Sequence, residues 1–178
     1  WMQKFLLQAK EGYKKERSYR VLLKIIAISY IFLGALSRRV EKAKTKRHLF
    51  FKLIRIPLET PFGSKETLGF FIALNFVKAN EIFERKRFIK IIQRAAPGMR
   101  MVENSLFQES DERLFLLYVE MEKEGEETIS EKEIHFLKKA LQDHLQGCIE
   151  NLVRPLFMPR NEEEVMKYLV TLGGQLHT

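Results

Sequence analysis

Apolar residues near the N-terminus follow a helical period. Leu22, Leu23, Ile26, Tyr30 and Leu33 recur at separations of three and four, and Leu6, Leu7, Tyr13 and Tyr19 lead into that stripe. The spacing predicts helix from Met2 to about Lys44. Gly12 and Gly34 are candidate breaks, so one long helix and two helices joined near Gly12 both fit. From His48 the pattern changes. Leu49, Phe50, Phe51, Leu53, Ile54 and Ile56 form a β-rich run ending at Pro57, followed by the turn chemistry of Pro61-Phe62-Gly63-Ser64. Lys52 and Arg55 fall on opposite faces of that strand, which suits an edge strand or an element crossing a domain boundary.

Leu68 to Val77 is apolar on both alternating faces, the pattern of a strand covered on both sides. Ala79 to Ala95 returns to a helical period, with Ile82, Phe88, Ile89, Ile91 and Ile92 facing inward. Ala96-Pro97-Gly98 stops it. Met99 to Gln108 reads as a second strand, Ser110-Asp111-Glu112 as a turn, and Arg113 to Glu122 as a third strand. The short connection makes the last two an antiparallel hairpin. Ser130 with Glu133 is a capping box, in which each residue satisfies a free backbone N–H of the other. It opens a helix whose Ile134, Leu137, Leu141, Leu145, Cys148, Ile149 and Leu152 share one face up to Pro155. Asn161 with Glu164 predicts a shorter helix through Val165, Leu169 and Leu172, closed by Gly173-Gly174.

Strand, helix, strand, strand, helix from Leu68 to Leu152 is the split βαβ order of ferredoxin-like domains. The expected fold is α+β: a ferredoxin-like βαββα core with an antiparallel sheet, preceded by a basic helical segment and followed by a short C-terminal helix. Residues 1–47 form the helical segment and residues 48–178 the sandwich. A fourth strand comes either from Leu49–Leu58 or from residues after Gly174. Two helices on one face are expected to bury a single core holding Phe71, Leu116 and Leu141 together. The order resembles, in topology alone, small ligand-binding regulatory modules of the ACT type, and the chain carries no diagnostic motif of any family.

Composition narrows the function classes. The chain has 178 residues, 46% apolar and 30% charged, ordinary globular usage rather than that of a disordered chain. One cysteine excludes an internal disulfide and every zinc site built from several cysteines. The net charge of +8 is unevenly placed: residues 1–60 hold 15 Lys/Arg against 4 Asp/Glu. Two clusters carry most of it, Lys10, Lys14, Lys15, Arg17 and Arg20, then Arg38, Arg39, Lys42, Lys44, Lys46 and Arg47. Such clusters attract nucleic acid, an acidic protein face or an anionic membrane, or simply solvate a helix face. Between them, Ile25–Leu36 is only 12 residues without a charge. That is short for a spanning helix, which needs roughly 20, so the stretch is read as a buried helix. The missing export signal and lone thiol favour a cytoplasmic location. Trp1-Met2 and His177-Thr178 look like cut edges, as of a segment from a larger protein.

Catalytic chemistry finds little support. His135 and His144 lie nine residues apart, about 180° around a helix. His144 and Cys148 share a face, but Cys148 belongs to the apolar stripe and reads as a packed thiol. Gly63-Ser64-Lys65 lacks the spacing of a phosphate loop, and no dinucleotide fingerprint occurs. The acidic pairs sit in turns or on polar helix faces, where nothing raises a carboxyl pKa. No catalytic residue, cofactor or metal is expected. Phe70, Phe71, Phe76, Phe115 and Tyr118 read as core rather than as a base-stacking platform, because helices must cover one sheet face. The expected function is therefore a non-catalytic regulatory or protein-interaction domain, with small-ligand binding as an option. It would meet a protein partner or a second copy along a sheet edge. The alternative is nucleic-acid binding through the eleven basic residues of the two clusters, with membrane contact a third option.

Overall fold

Ser18 decides where the long helix begins. Its backbone is extended (φ −62°, ψ 151°) and its hydroxyl accepts from the Val21 N–H at 3.4 Å, an N-cap. Lys10 is extended in the same way (φ −66°, ψ 154°). The N-terminal region consequently divides into three helices, α1 (Met2–Gln8), α2 (Glu11–Lys15) and α3 (Tyr19–Lys42). Gly12 lies inside α2 and Gly34 inside α3, so neither glycine breaks a helix. The computed structural model describes residues 2–60, 63–78, 81–111, 113–126, 128–150 and 152. The helix read through Val165, Leu169 and Leu172 and its Gly173-Gly174 stop lie outside the described residues.

The fold is mixed α+β. Among the described residues, one antiparallel sheet of five strands contains β1 (Leu49–Thr60), β2 (Gly63–Asn75), β3 (Met99–Met101), β4 (Phe107–Ser110) and β5 (Leu114–Lys123). Its order is β1-β2-β5-β3, with β4 also paired to β5. β1 and β2 form a hairpin from Leu49↔Leu74 to Thr60↔Gly63, and β2 pairs with β5 from Leu68↔Met121 to Asn75↔Leu114. The strand beside β2 is thus the Leu49–Leu58 run. Among the described residues β1 is an edge, and it carries Pro57, which has no N–H to offer a neighbour, and exposed Lys52.

The predicted second strand is two strands. β3 pairs with β5 at Met101↔Met121 and β4 at Phe107↔Tyr118, leaving residues 102–106 opposite only Val119 and Glu120. The excess is absorbed by Asn104, whose φ is +58°, a conformation Asn tolerates better than most residues. It is pinned by buried Ser105, whose hydroxyl donates to the Val102 carbonyl at 2.7 Å and accepts from the Glu120 N–H at 3.1 Å. The helix after β2 also starts later than its pattern suggests. α4 spans Arg85–Ala95. Glu81 instead accepts from the Val77 N–H at 2.8 Å and pairs with Arg47 at 2.5 Å, in a non-helical stretch. Ile82, expected inside, is 51% exposed, whereas Phe88, Ile91 and Ile92 are buried.

Helices cover both faces of the sheet. Leu68, Phe70, Ile72 and Leu74 of β2, with Phe115, Leu117, Val119 and Met121 of β5, pack against α4 and α5 (Glu131–Glu150). The intervening residues point the other way. Phe71 and Tyr118, with Ile54 and Ile56 of β1, meet Phe5, Tyr13, Val21 and Ile25 of α1–α3, and Ala73 and Leu116 meet Leu36 and Val40. Strict alternation in β2 and β5 therefore fills two cores. This corrects the expectation of one core: Phe71 and Leu116 lie on the α3 side, Leu141 across the sheet beneath α5. The capping box forms as read, with the Ser130 N–H donating to Glu133 at 2.8 Å and the Glu133 N–H to Ser130 at 3.3 Å.

Candidate functional site

Glu120 lies in the middle of β5, a strand buried on both faces, and is itself fully buried. An isolated carboxylate there would be prohibitively costly. It is satisfied completely. The Tyr13 and Tyr118 hydroxyls each donate to its Oε1 at 2.6 Å, and the Arg17 Nε at 3.1 Å. The Arg17 Nη2 donates to its Oε2 at 2.5 Å and the Thr67 hydroxyl at 3.3 Å. Arg17 also donates to the Tyr13 carbonyl at 2.7 Å and stacks 3.6 Å above the Tyr13 ring. α2 and the turn after it bring Arg17 and Tyr13 down onto β5, while β2 supplies Thr67. Gly69 on β2 leaves the room Tyr118 needs, since a Cβ there would stand 3.0 Å from the tyrosine's Cε2 and hydroxyl oxygen.

Burial pushes both tyrosine hydroxyls well above their ordinary pKa, and the Glu120 charge adds to it. Burial works most strongly against the Arg17 charge, but the hydrogen bonds to Glu120 and its negative charge together outweigh it and hold the guanidinium protonated. Neither tyrosine can act as an acid near neutrality, and the Arg17 side chain shows no surface to solvent. The cluster is a clamp between the N-terminal helices and the central strand.

The eleven basic residues separate into paired and exposed groups. Arg17 is the buried partner of Glu120, Lys14 pairs with Glu11, and Arg47 pairs with Glu81. Lys10, Lys15 and Arg20 remain exposed near the start of α3, and Arg38, Arg39, Lys42, Lys44 and Lys46 at its end. Arg20 and Arg38 stand about 27 Å apart along the helix, so the two groups do not form one patch. Apolar surface lies between them: Leu23 is 53% exposed, Tyr30 72% and Ile31 60%, with Ala27 also exposed. α3 is long and apolar enough to cross a membrane by length and composition, yet only 28% of its most apolar stretch is buried in the fold. The stretch read as a buried helix too short to span is thus part of a helix of spanning length, with one buried face and one open face.

Cavities among the described residues lie elsewhere. One of about 340 Å³ sits between the end of α4 and the start of α5, lined by Ala95, Pro97, Met99, Ile129 and Phe136 with Lys132 and Glu133. Another, of about 410 Å³, is lined by Ser37, Glu41, Asp111 and Arg113. Among the described residues no three His, Cys, Asp or Glu side chains converge as a metal site. The His144 ring lies 2.7 Å from the Ala140 carbonyl, and the Cys148 side chain lies outside the described residues. The five aromatics considered for base stacking are core: Phe70, Phe71, Phe115 and Tyr118 are buried and Phe76 is half-buried.

Sequence reasoning missed Glu120 and miscast Arg17 as a surface charge. The available signal was Glu120 itself, a carboxylate inside a strand apolar on both faces, which demands a buried counter-charge from elsewhere. No protein-family model matches the chain, and comparisons with curated proteins and with solved structures return no match either.

Proposed function

We propose that this chain is a non-catalytic interaction domain that docks through the outer face of α3. The observation carrying this reading is the open apolar strip of Leu23, Ala27, Tyr30 and Ile31 on a helix whose other face is fastened to the sheet. An exposed contiguous apolar surface flanked by charge is the usual mark of a contact site. The finer fold reading belongs with it: a ferredoxin-like sheet in which β1 takes the outer position beside β2. The strand order β1-β2-β5-β3 and the placement of α4 and α5 on one face support it. A small ligand, if bound, has the cavity of about 340 Å³ between α4 and α5 to occupy.

The test uses the full-length protein in gently lysed cells. Wild type should elute in size-exclusion chromatography, or sediment, with a larger body, while Leu23→Ser/Tyr30→Ser/Ile31→Ser should run as the free chain with unchanged circular dichroism. Equal behaviour of the two proteins would remove the reading. Nucleic acid is the second reading, favoured by five exposed basic residues, Arg38, Arg39, Lys42, Lys44 and Lys46, close together in sequence. Binding of that kind should weaken steeply with salt, because neutralised phosphates release counterions.

A further inference from the structure

We infer that the partner of the α3 face is an anionic lipid bilayer, to which the domain binds peripherally with α3 lying along the surface; this rests on the reading of that face as a docking site. Three features of the helix lead there. The first is its layout: Leu23, Ala27, Tyr30 and Ile31 are exposed in the middle, with exposed Arg20 before them, Lys24 between Leu23 and Ala27, and Arg38, Arg39 and Lys42 after them. Apolar and aromatic side chains between lysines and arginines are what an interfacial helix presents to head groups and the acyl boundary.

The second feature is charge. From Tyr19 to Val40 the helix contains no Asp or Glu, and Glu41 is the first carboxylate. A second copy laid on this face, parallel or antiparallel, would bring basic ends against basic ends. A nucleic acid would satisfy those ends but leave Leu23 and Ile31 against phosphates. An anionic bilayer answers both chemistries at once. The third feature is how little of α3 the fold uses. The helix is long and apolar enough to span a membrane by length and composition, and 28% of its most apolar stretch is buried, while Val21, Ile25, Leu36 and Val40 are held by the sheet. That anchored face prevents the helix from leaving the fold to span, so contact is shallow and along the helix.

The purified full chain would be sedimented with vesicles of phosphatidylcholine alone and of phosphatidylcholine with phosphatidylserine, and titrated in parallel with a labelled DNA duplex. Co-sedimentation with the phosphatidylserine vesicles is expected, with much weaker binding to the neutral ones and release in alkaline carbonate. Each Lys or Arg near an anionic surface contributes about fivefold in affinity, so Arg38→Gln/Arg39→Gln/Lys42→Gln should weaken binding about a hundredfold. Leu23→Ser/Tyr30→Ser/Ile31→Ser should abolish sedimentation while keeping its circular dichroism spectrum. Bare vesicles, variants that bind like wild type, resistance to carbonate, or tighter binding to the duplex than to vesicles would each overturn the inference. If the wild type still joins a larger body in cells through α3 while vesicles stay bare, the docking face stands and lipid is the wrong partner. If the serine variant joins that body as well, the docking face itself is wrong.

Discussion

A single carboxylate organises the α3 side of the molecule. Glu120 accepts hydrogen bonds from Tyr13, Tyr118, Thr67 and Arg17, so removing its counter-charge leaves an unpaired buried anion. Arg17→Met should cost about 3–5 kcal/mol in urea denaturation at neutral pH. Adding Glu120→Gln should recover part of that, because no lone charge then remains; a double variant less stable than the single would refute this account. The two tyrosines give the same site a signature in pH. Their folded pKa values are raised, so the stability they confer is complete below the unfolded value of about 10 and lost as pH climbs toward the folded ones. Above about pH 10 stability should fall by up to about 1.4 kcal/mol per pH unit for each tyrosine. Tyr13→Phe should flatten that limb, measured as denaturation midpoints across the alkaline range. Gly69 enters here too, since Gly69→Val would displace the Tyr118 ring from its place.

Capping shows how far element boundaries can be read from sequence. Ser130 and Glu133 form the reciprocal bonds their spacing promises, and Lys123 joins them at 2.9 Å. The Lys123 ammonium and the Ser130 donors hold the Glu133 carboxyl down at about 2. Its help to α5 is therefore present above the unfolded value of about 4.5 and fades as pH falls toward 2. Wild type should melt higher than Glu133→Gln at pH 6, and the two should converge near pH 2. Ser130→Ala should cost about 1 kcal/mol at either pH. Where the deciding interaction is local and its motif complete, as at Ser130, the sequence announces it; the Ser18 cap, with no Glu or Gln three residues on, lies unmarked inside a continuous helical pattern. β3 and β4 show the opposite. Met99–Gln108 has a continuous strand pattern, but Ser105 is bound to Glu120 fifteen residues along, and that contact splits the run. α4 starts late for a similar reason, because Glu81 is claimed by Arg47, 34 residues away. The open face of α3 was hidden because apolar content does not say how much of a helix the sheet can cover.

At the scale of the whole molecule, α1–α3 and the sheet share the core of Phe5, Tyr13, Ile25, Phe71, Phe107 and Tyr118. The aromatic rings run across it, with Phe5 4.4 Å from Phe107 and Phe71 4.5 Å from Tyr118. Calorimetry should accordingly show one transition whose van't Hoff and calorimetric enthalpies agree. Deleting residues 2–42 should leave a chain that binds hydrophobic dyes and lacks dispersed methyl signals, because Phe71, Tyr118 and Ile56 would lose their cover. A well-dispersed spectrum from that fragment would mean the sheet half is self-sufficient. Arg17 and Glu120 are 103 residues apart, and that interval has a meaning during translation. At roughly 5–20 residues per second, the guanidinium emerges from the ribosome some 5–20 s before its anion, and the greasy helix behind it waits equally long for β5. Throughout that delay the nascent chain presents an incompletely covered apolar rod with positive charge at each end, a segment for chaperones to hold until β5 is made.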